Sequence, residues 1–201
     1  MPESLGLLRT LLSAPVPDLQ AITDAIRGDV GLTVEVLRQA AEQPDTEPAN
    51  VLNLAEIVVH LGLEKLRAVI SKTPALPAPA AEDAVSRRIE RFWMHARLTA
   101  LVAEELACRN SGVSCQDAYV AGLLRHLGAL PFVLDWHSTD CEPGASGELG
   151  YYLAKGWSLP EPLTDVIRGD RDACISGRSR SLLDLANAAD KHAYRLELGC
   201  Y

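Results

Sequence analysis

Apolar residues recur along this chain at spacings of three and four rather than two, so the pattern predicts helices almost throughout. The clearest segment runs over about 84–109, where Val85, Ile89, Phe92, Trp93, Ala96, Ala100, Ala103 and Ala107 share one face. Shorter helices are predicted over about 4–13, 18–27, 32–41 and 52–70, the last broken near Gly62, and again over 148–155, 160–168 and 181–197. Ser114 followed by Asp117 has the form of a capping box with Asp in the Glu/Gln place. It opens a helix through SCQDAYVAGLLRHLGAL that Gly128 and Pro131 should bend or end.

Three stretches break the pattern. QPDTEPAN (43–50) and KTPALPAPAAED (72–83) carry prolines that forbid an interior helix, and STDCEPGASG (138–147) is a polar loop. The chain therefore reads as an N-terminal helical layer (1–71), a Pro/Ala-rich linker (72–83) and a second helical block (84–201). We expect one domain with the linker inside it, because neither block alone should bury much. No internal repeat and no heptad series is present.

Composition narrows the class. The 31 Leu and 27 Ala stand against 14 Val, 7 Ile and 10 aromatic residues, so helix formers dominate and the expected fold is all-α, a multi-helix bundle. The net charge of −8 argues against nucleic-acid binding, since most of the surface would repel a phosphate backbone. No apolar run reaches the roughly 18 residues of a membrane span, and the N-terminus lacks a signal-peptide pattern. We therefore expect a cytoplasmic protein that does not engage membranes. The five cysteines (108, 115, 141, 174 and 200) form no C-x2-C pair and read as free thiols, mostly small core residues.

Three ionisable residues fall on apolar faces. His126 follows Leu123, Gly122 and Tyr119 at helical spacing, Asp190 follows Ala186 and Leu183, and His95 flanks the Phe92 and Ala96 stripe. A carboxylate among apolar neighbours must find a hydrogen-bond partner, so these three are expected to meet in the core. Two His and one carboxylate would suit a divalent transition ion. The plainer reading, which we prefer, is a structural His–Asp cluster that satisfies itself and fixes helix register, with no metal or other cofactor.

The runs GDVGLTVEVLRQA (28–40), LAEIVVHLGLEKLRAVI (54–70), RFWMHARLTALVAEELA (91–107), AGLLRHLGAL (121–130), GELGYYLAKGWSLPEPLTDVIRGDRD (147–172) and LLDLANAADKHA (182–193) together resemble the HDOD family, bacterial output domains related to the HD phosphohydrolases. The resemblance implies an HD-type helical core with an N-terminal helical layer packed on it. It puts His95 at the first metal-ligand His, His126 and Leu127 at the His-Asp doublet, and Asp190 at the final ligand Asp. Leu127 can neither ligate a cation nor position a water. Ser146 falls where the family often has His, and Asp170-Arg171 replaces a frequent His-His pair. If any metal were held, His95, His126 and Asp190 would hold it.

The resemblance and the broken metal motif imply a non-catalytic regulatory module of bacterial signalling, acting through a protein partner. A homodimer is compatible with it, and the short termini suggest a chain that stands alone. The alternative is a nucleotide or second-messenger sensor, with Arg125, Arg171, Arg91 or Arg97 contacting an anion in the former active-site cleft. A metal-dependent phosphohydrolase is the least favoured. Trp136 is the expected surface contact for a partner, while Trp93 and Trp157 are expected in the core.

Overall fold

The structure is a computed structural model that describes residues 2–42, 52–73, 84–109, 112–134 and 145–197. These residues form ten α-helices and one 3-10 turn, with no strand among them, as the Leu/Ala-rich composition requires. The chain packs as two compact units, Met1–Ala80 and Ala81–Tyr201, whose boundary falls in the Pro/Ala-rich stretch. Fully buried side chains occur in both units.

The first unit holds α1 (Pro2–Ser13), α2 (Leu19–Arg27), α3 (Val30–Ala41) and α4 (Leu54–Lys72). Side-chain caps start three of them: Asp18 accepts from the Gln20 and Ala21 amides, Asp29 from Leu32 and Asn53 from Ala55. Leu8, Ile22, Ile26, Leu37, Leu54, Leu66 and Ile70 form the interior. Arg67 Nε donates to the Leu12 carbonyl at 2.9 Å, which ties the end of α1 to α4. Gly62 breaks α4 as expected, with φ +72°, a conformation that disfavours any other residue.

The second unit holds α5 (Ala84–Arg109), α6 (Cys115–Leu124), the 3-10 turn (Leu127–Ala129), α7 (Leu130–Leu134), α8 (Ala145–Gly156), α9 (Glu161–Arg168) and α10 (Gly177–Glu197). The long helix α5 lies against α6 and α10. Its alanines make this possible: Ala96, Ala100, Ala103 and Ala107 are all buried, and Ala103 and Ala107 meet Ala118 and Ala189 in one cluster. A Cβ on Gly122 would stand 2.9 Å from the Ala100 Cα, so the two backbones approach closely. Small side chains thus bring three helices near enough for their polar residues to meet.

Ser114 caps α6 through the Asp117 amide, as its pattern predicts. The helix stops at Leu124, and the chain then tightens into the 3-10 turn, where a Cβ on Gly128 would overlap the Ser146 carbonyl oxygen at the start of α8. Cys108 and Cys115, read as free thiols, are instead joined in a disulfide with Cα atoms 5.4 Å apart. The bridge links the last turn of α5 to the first residue of α6. Cys174 is buried and free, as expected, while Cys141 and Cys200 lie outside the described residues. Among the described residues no helix is long and apolar enough to cross a membrane.

Candidate metal centre

Asp190 projects from α10 between the buried Ala186, Ala189 and Ala193. His95 comes from the middle of α5 and His126 from just beyond the end of α6. His95 Nε2 donates to Asp190 Oδ1 at 2.8 Å and His126 Nε2 donates to the same oxygen at 2.9 Å. The imidazole centroids are 5.2 Å apart with the rings tilted by 50°. The sequence places these three together, and the structure does so, although all three are partly exposed rather than sealed in the core.

Glu197, which the sequence reading missed, completes the arrangement. Its Oε2 lies 3.1 Å from His95 Nδ1, so both ring nitrogens of His95 face carboxylate oxygens, an arrangement that favours the protonated ring. The hydrogen bond to Asp190 is the main cause that raises the His95 pKa, burial works against it, and the Glu197 charge adds to the rise. Burial pushes the Asp190 carboxyl upward, but the hydrogen bonds from His126 and His95 overcome this and hold it well below the ordinary carboxylate range. The cluster is therefore a hydrogen-bonded network with the His95 ring set between two carboxylates.

Leu127, which the resemblance puts at the Asp of the doublet, directly follows His126. Its side chain is 3% exposed and belongs to the core, at the start of the 3-10 turn. The consecutive residues beside Asp190 are Arg125 and His126, whose charge and hydrogen bond act on it.

The other arginines separate clearly. Arg125 Nε donates to Asn187 Oδ1 at 3.0 Å, one turn before Asp190 on α10. Arg171 is exposed and bound by Asp184 at 2.9 Å, so its charge is already engaged. Arg91 and Arg97 lie on the exposed side of α5. Trp136 falls outside the described residues, and Trp93 and Trp157, expected in the core, are only half-buried.

The ligand atoms of His95, His126 and Asp190 lie within 4.8 Å of one another. That donor set suffices for one transition ion and is too small for two. Glu197 on His95 Nδ1 would be its outer carboxylate. An ion there would supply Lewis acidity and an activated water. It would have to displace the protons that now join the same nitrogens to Asp190.

The family model for the HDOD domain matches residues 1–145. The chain belongs to the HDOD family. The match includes His95, Arg125 and His126 but ends before α10, which carries Asp190, Asn187 and Glu197. This HDOD domain is similar to the crystal structure of the MmoQ response regulator from Methylococcus capsulatus strain Bath, with a TM-score of 0.74 and 19% identity, covering 96% of this chain and 85% of that one. A fragment of the same regulator gives a TM-score of 0.72 at 20% identity over 97% and 83% of the two chains. These likenesses show the fold. In sequence, the domain is 24% identical to an uncharacterized protein of Treponema pallidum (strain Nichols), over 84% of this chain and 36% of that protein. It therefore spans about a third of that relative's length.

Proposed function

We propose that this HDOD domain is a non-catalytic regulatory module that works through contacts with a protein partner in a bacterial, cytoplasmic signalling pathway. The observation that carries the reading is the hydrogen-bond network placed where a hydrolytic centre would need a metal. His95 and His126 both direct Nε2 at one Asp190 oxygen, His95 Nδ1 faces Glu197, and the Arg125 charge interacts with Asp190 from beyond ion-pair range. The imidazole nitrogens already engage the Asp190 oxygen that a divalent ion would need, which weakens the pull of the site on such an ion. The structural neighbour MmoQ is a response regulator, which agrees with a signalling role. The acidic net charge of −8 favours a protein over a nucleic acid as partner.

The direct test is hydrolysis of bis-p-nitrophenyl phosphate and p-nitrophenyl phosphate with added Mn2+, Mg2+ or Zn2+. The reading expects no turnover above the metal-only blank. Turnover that disappears in both His126→Ala and Asp190→Ala would overturn it.

A further inference from the structure

The Cys108–Cys115 bond joins two helices that are already held together without it. Ala103 and Ala107 of α5 meet Ala118 of α6 in one buried cluster, and Gly122 lets the backbones approach closely at Ala100. The two cysteines are only seven residues apart, so what the bond constrains is the short connection between the helices. Gly112, Val113 and Ser114 of that connection line a cavity of about 340 Å³, together with Gly177, Arg178 and Ser181 at the start of α10.

The two sulfurs are placed differently. Cys108 is exposed in the last turn of α5, whereas Cys115 is half-buried and packs against the cluster of Ala103, Ala107, Ala118 and Ala189. A nucleophile from solvent therefore meets Cys108 Sγ first. Cys115 is the first residue of α6, so a thiolate released there sits at the positive end of the helix. The Asp117 carboxylate in the same turn would oppose that anion, but Arg178 Nη2 holds it at 2.6 Å. Burial and the helix start thus separate a point of attack from a leaving group, the division of roles that exchange with a thiol uses.

We propose that Cys108–Cys115 is a thiol–disulfide exchange site for a small thiol of the glutathione class, and that opening the bond releases the Gly112–Ser114 wall of the cavity. The thiol RSH gives its proton to water, and RS− attacks Cys108 Sγ. The S–S bond breaks, and its electron pair leaves on Cys115 Sγ, which takes up a proton. A second RS− attacks the R-side sulfur of the mixed disulfide, and Cys108 leaves as a thiolate that is protonated in turn. Two RSH are oxidised to RSSR, and the protein gains two thiols. With RSSR in excess the same steps run backwards, Cys115 closing the bond on Cys108. This chemistry does not depend on the protein-contact reading, since exchange proceeds whether or not a partner docks elsewhere.

The test takes the full chain through both directions in native buffer, with glutathione and its disulfide as probes and alkylation followed by peptide mapping as the readout. Glutathione should free both cysteines without denaturant, and glutathione disulfide should rejoin them. In Cys115→Ser, glutathione disulfide should load Cys108 at least about tenfold faster than it loads Cys115 in Cys108→Ser. In the wild type, the NMR order parameters of the Gly112, Val113 and Ser114 amides should fall on reduction while those of α8 hold. A bond that yields only in denaturant, equal loading of the two serine variants, or unchanged order at Gly112–Ser114 would overturn the proposal.

Discussion

His95 Nε2 and Asp190 Oδ1 stand 2.8 Å apart across 95 residues of sequence, and His126 Nε2 reaches the same oxygen at 2.9 Å. One carboxylate oxygen therefore fastens α5, the end of α6 and α10 together. Around it the packing is mostly alanine, which contributes little surface per residue, so a charged hydrogen-bond network supplies specificity that bulkier side chains supply elsewhere.

Removing one arm of this network should cost stability with no metal involved. His126→Ala is expected to lower the unfolding free energy by about 1–2 kcal/mol. Asp190→Ala should cost more, because it strands two imidazole N–H groups at once. Urea unfolding of the three proteins checks this, and an unchanged midpoint in both variants would contradict the cluster.

Stability should depend on pH in a defined direction. His95 has a raised pKa, so its contribution is complete below its ordinary value of 6.5 and is lost as pH rises through the raised value. Asp190 has a lowered pKa, so its contribution is present above its ordinary 3.8 and is lost as pH falls through the folded value. The network therefore stabilises most between these two ordinary values. The stability difference between wild type and His95→Asn should shrink on going from weakly acidic to alkaline buffer, and a constant difference would contradict the assignment.

Thiol counting checks the bridge between α5 and α6. In denaturant, two fewer thiols should react before reduction than after it, with Cys108 and Cys115 recovered as one linked peptide pair. Reduction should lower stability by about 2 kcal/mol, as for a short closed loop. Five reactive thiols in the unreduced protein would show the pair to be open.

The close packing of α8 on the 3-10 turn rests on two glycines. A Cβ on Gly128 overlaps the Ser146 carbonyl and would stand 2.6 Å from the Gly150 nitrogen. Gly128→Ala should destabilise the protein by about 1–3 kcal/mol through forced backbone shifts. Gly156→Ala, with nothing within 4 Å of the new methyl, is the control that should leave the melting temperature nearly unchanged.

The helices were legible because their spacing and breakers are local. The predicted 84–109 segment coincides with Ala84–Arg109, and the expected break at Gly62 is present. The meeting of His95, His126 and Asp190 was legible from apolar faces and the family resemblance. The local backbone at His126 was not, because the helical spacing assumes a continuous helix, whereas α6 stops at Leu124 and a 3-10 turn follows. His126 still reaches Asp190, and Leu127 after it is buried. Glu197 and Asn187 left a signal that could have been used, since they lie seven residues after and three before Asp190, on one helical face. The Cys108–Cys115 bridge left none, because it depends on how close α5 and α6 pack.

The central claim is that the imidazole N–H groups of His95 and His126, rather than a metal ion, hold the Asp190 carboxylate. Elemental analysis of protein purified with neither added metal nor chelator tests it most directly. The account predicts less than about a tenth of an equivalent of any transition metal. One equivalent that is lost in His126→Ala and Asp190→Ala would contradict it.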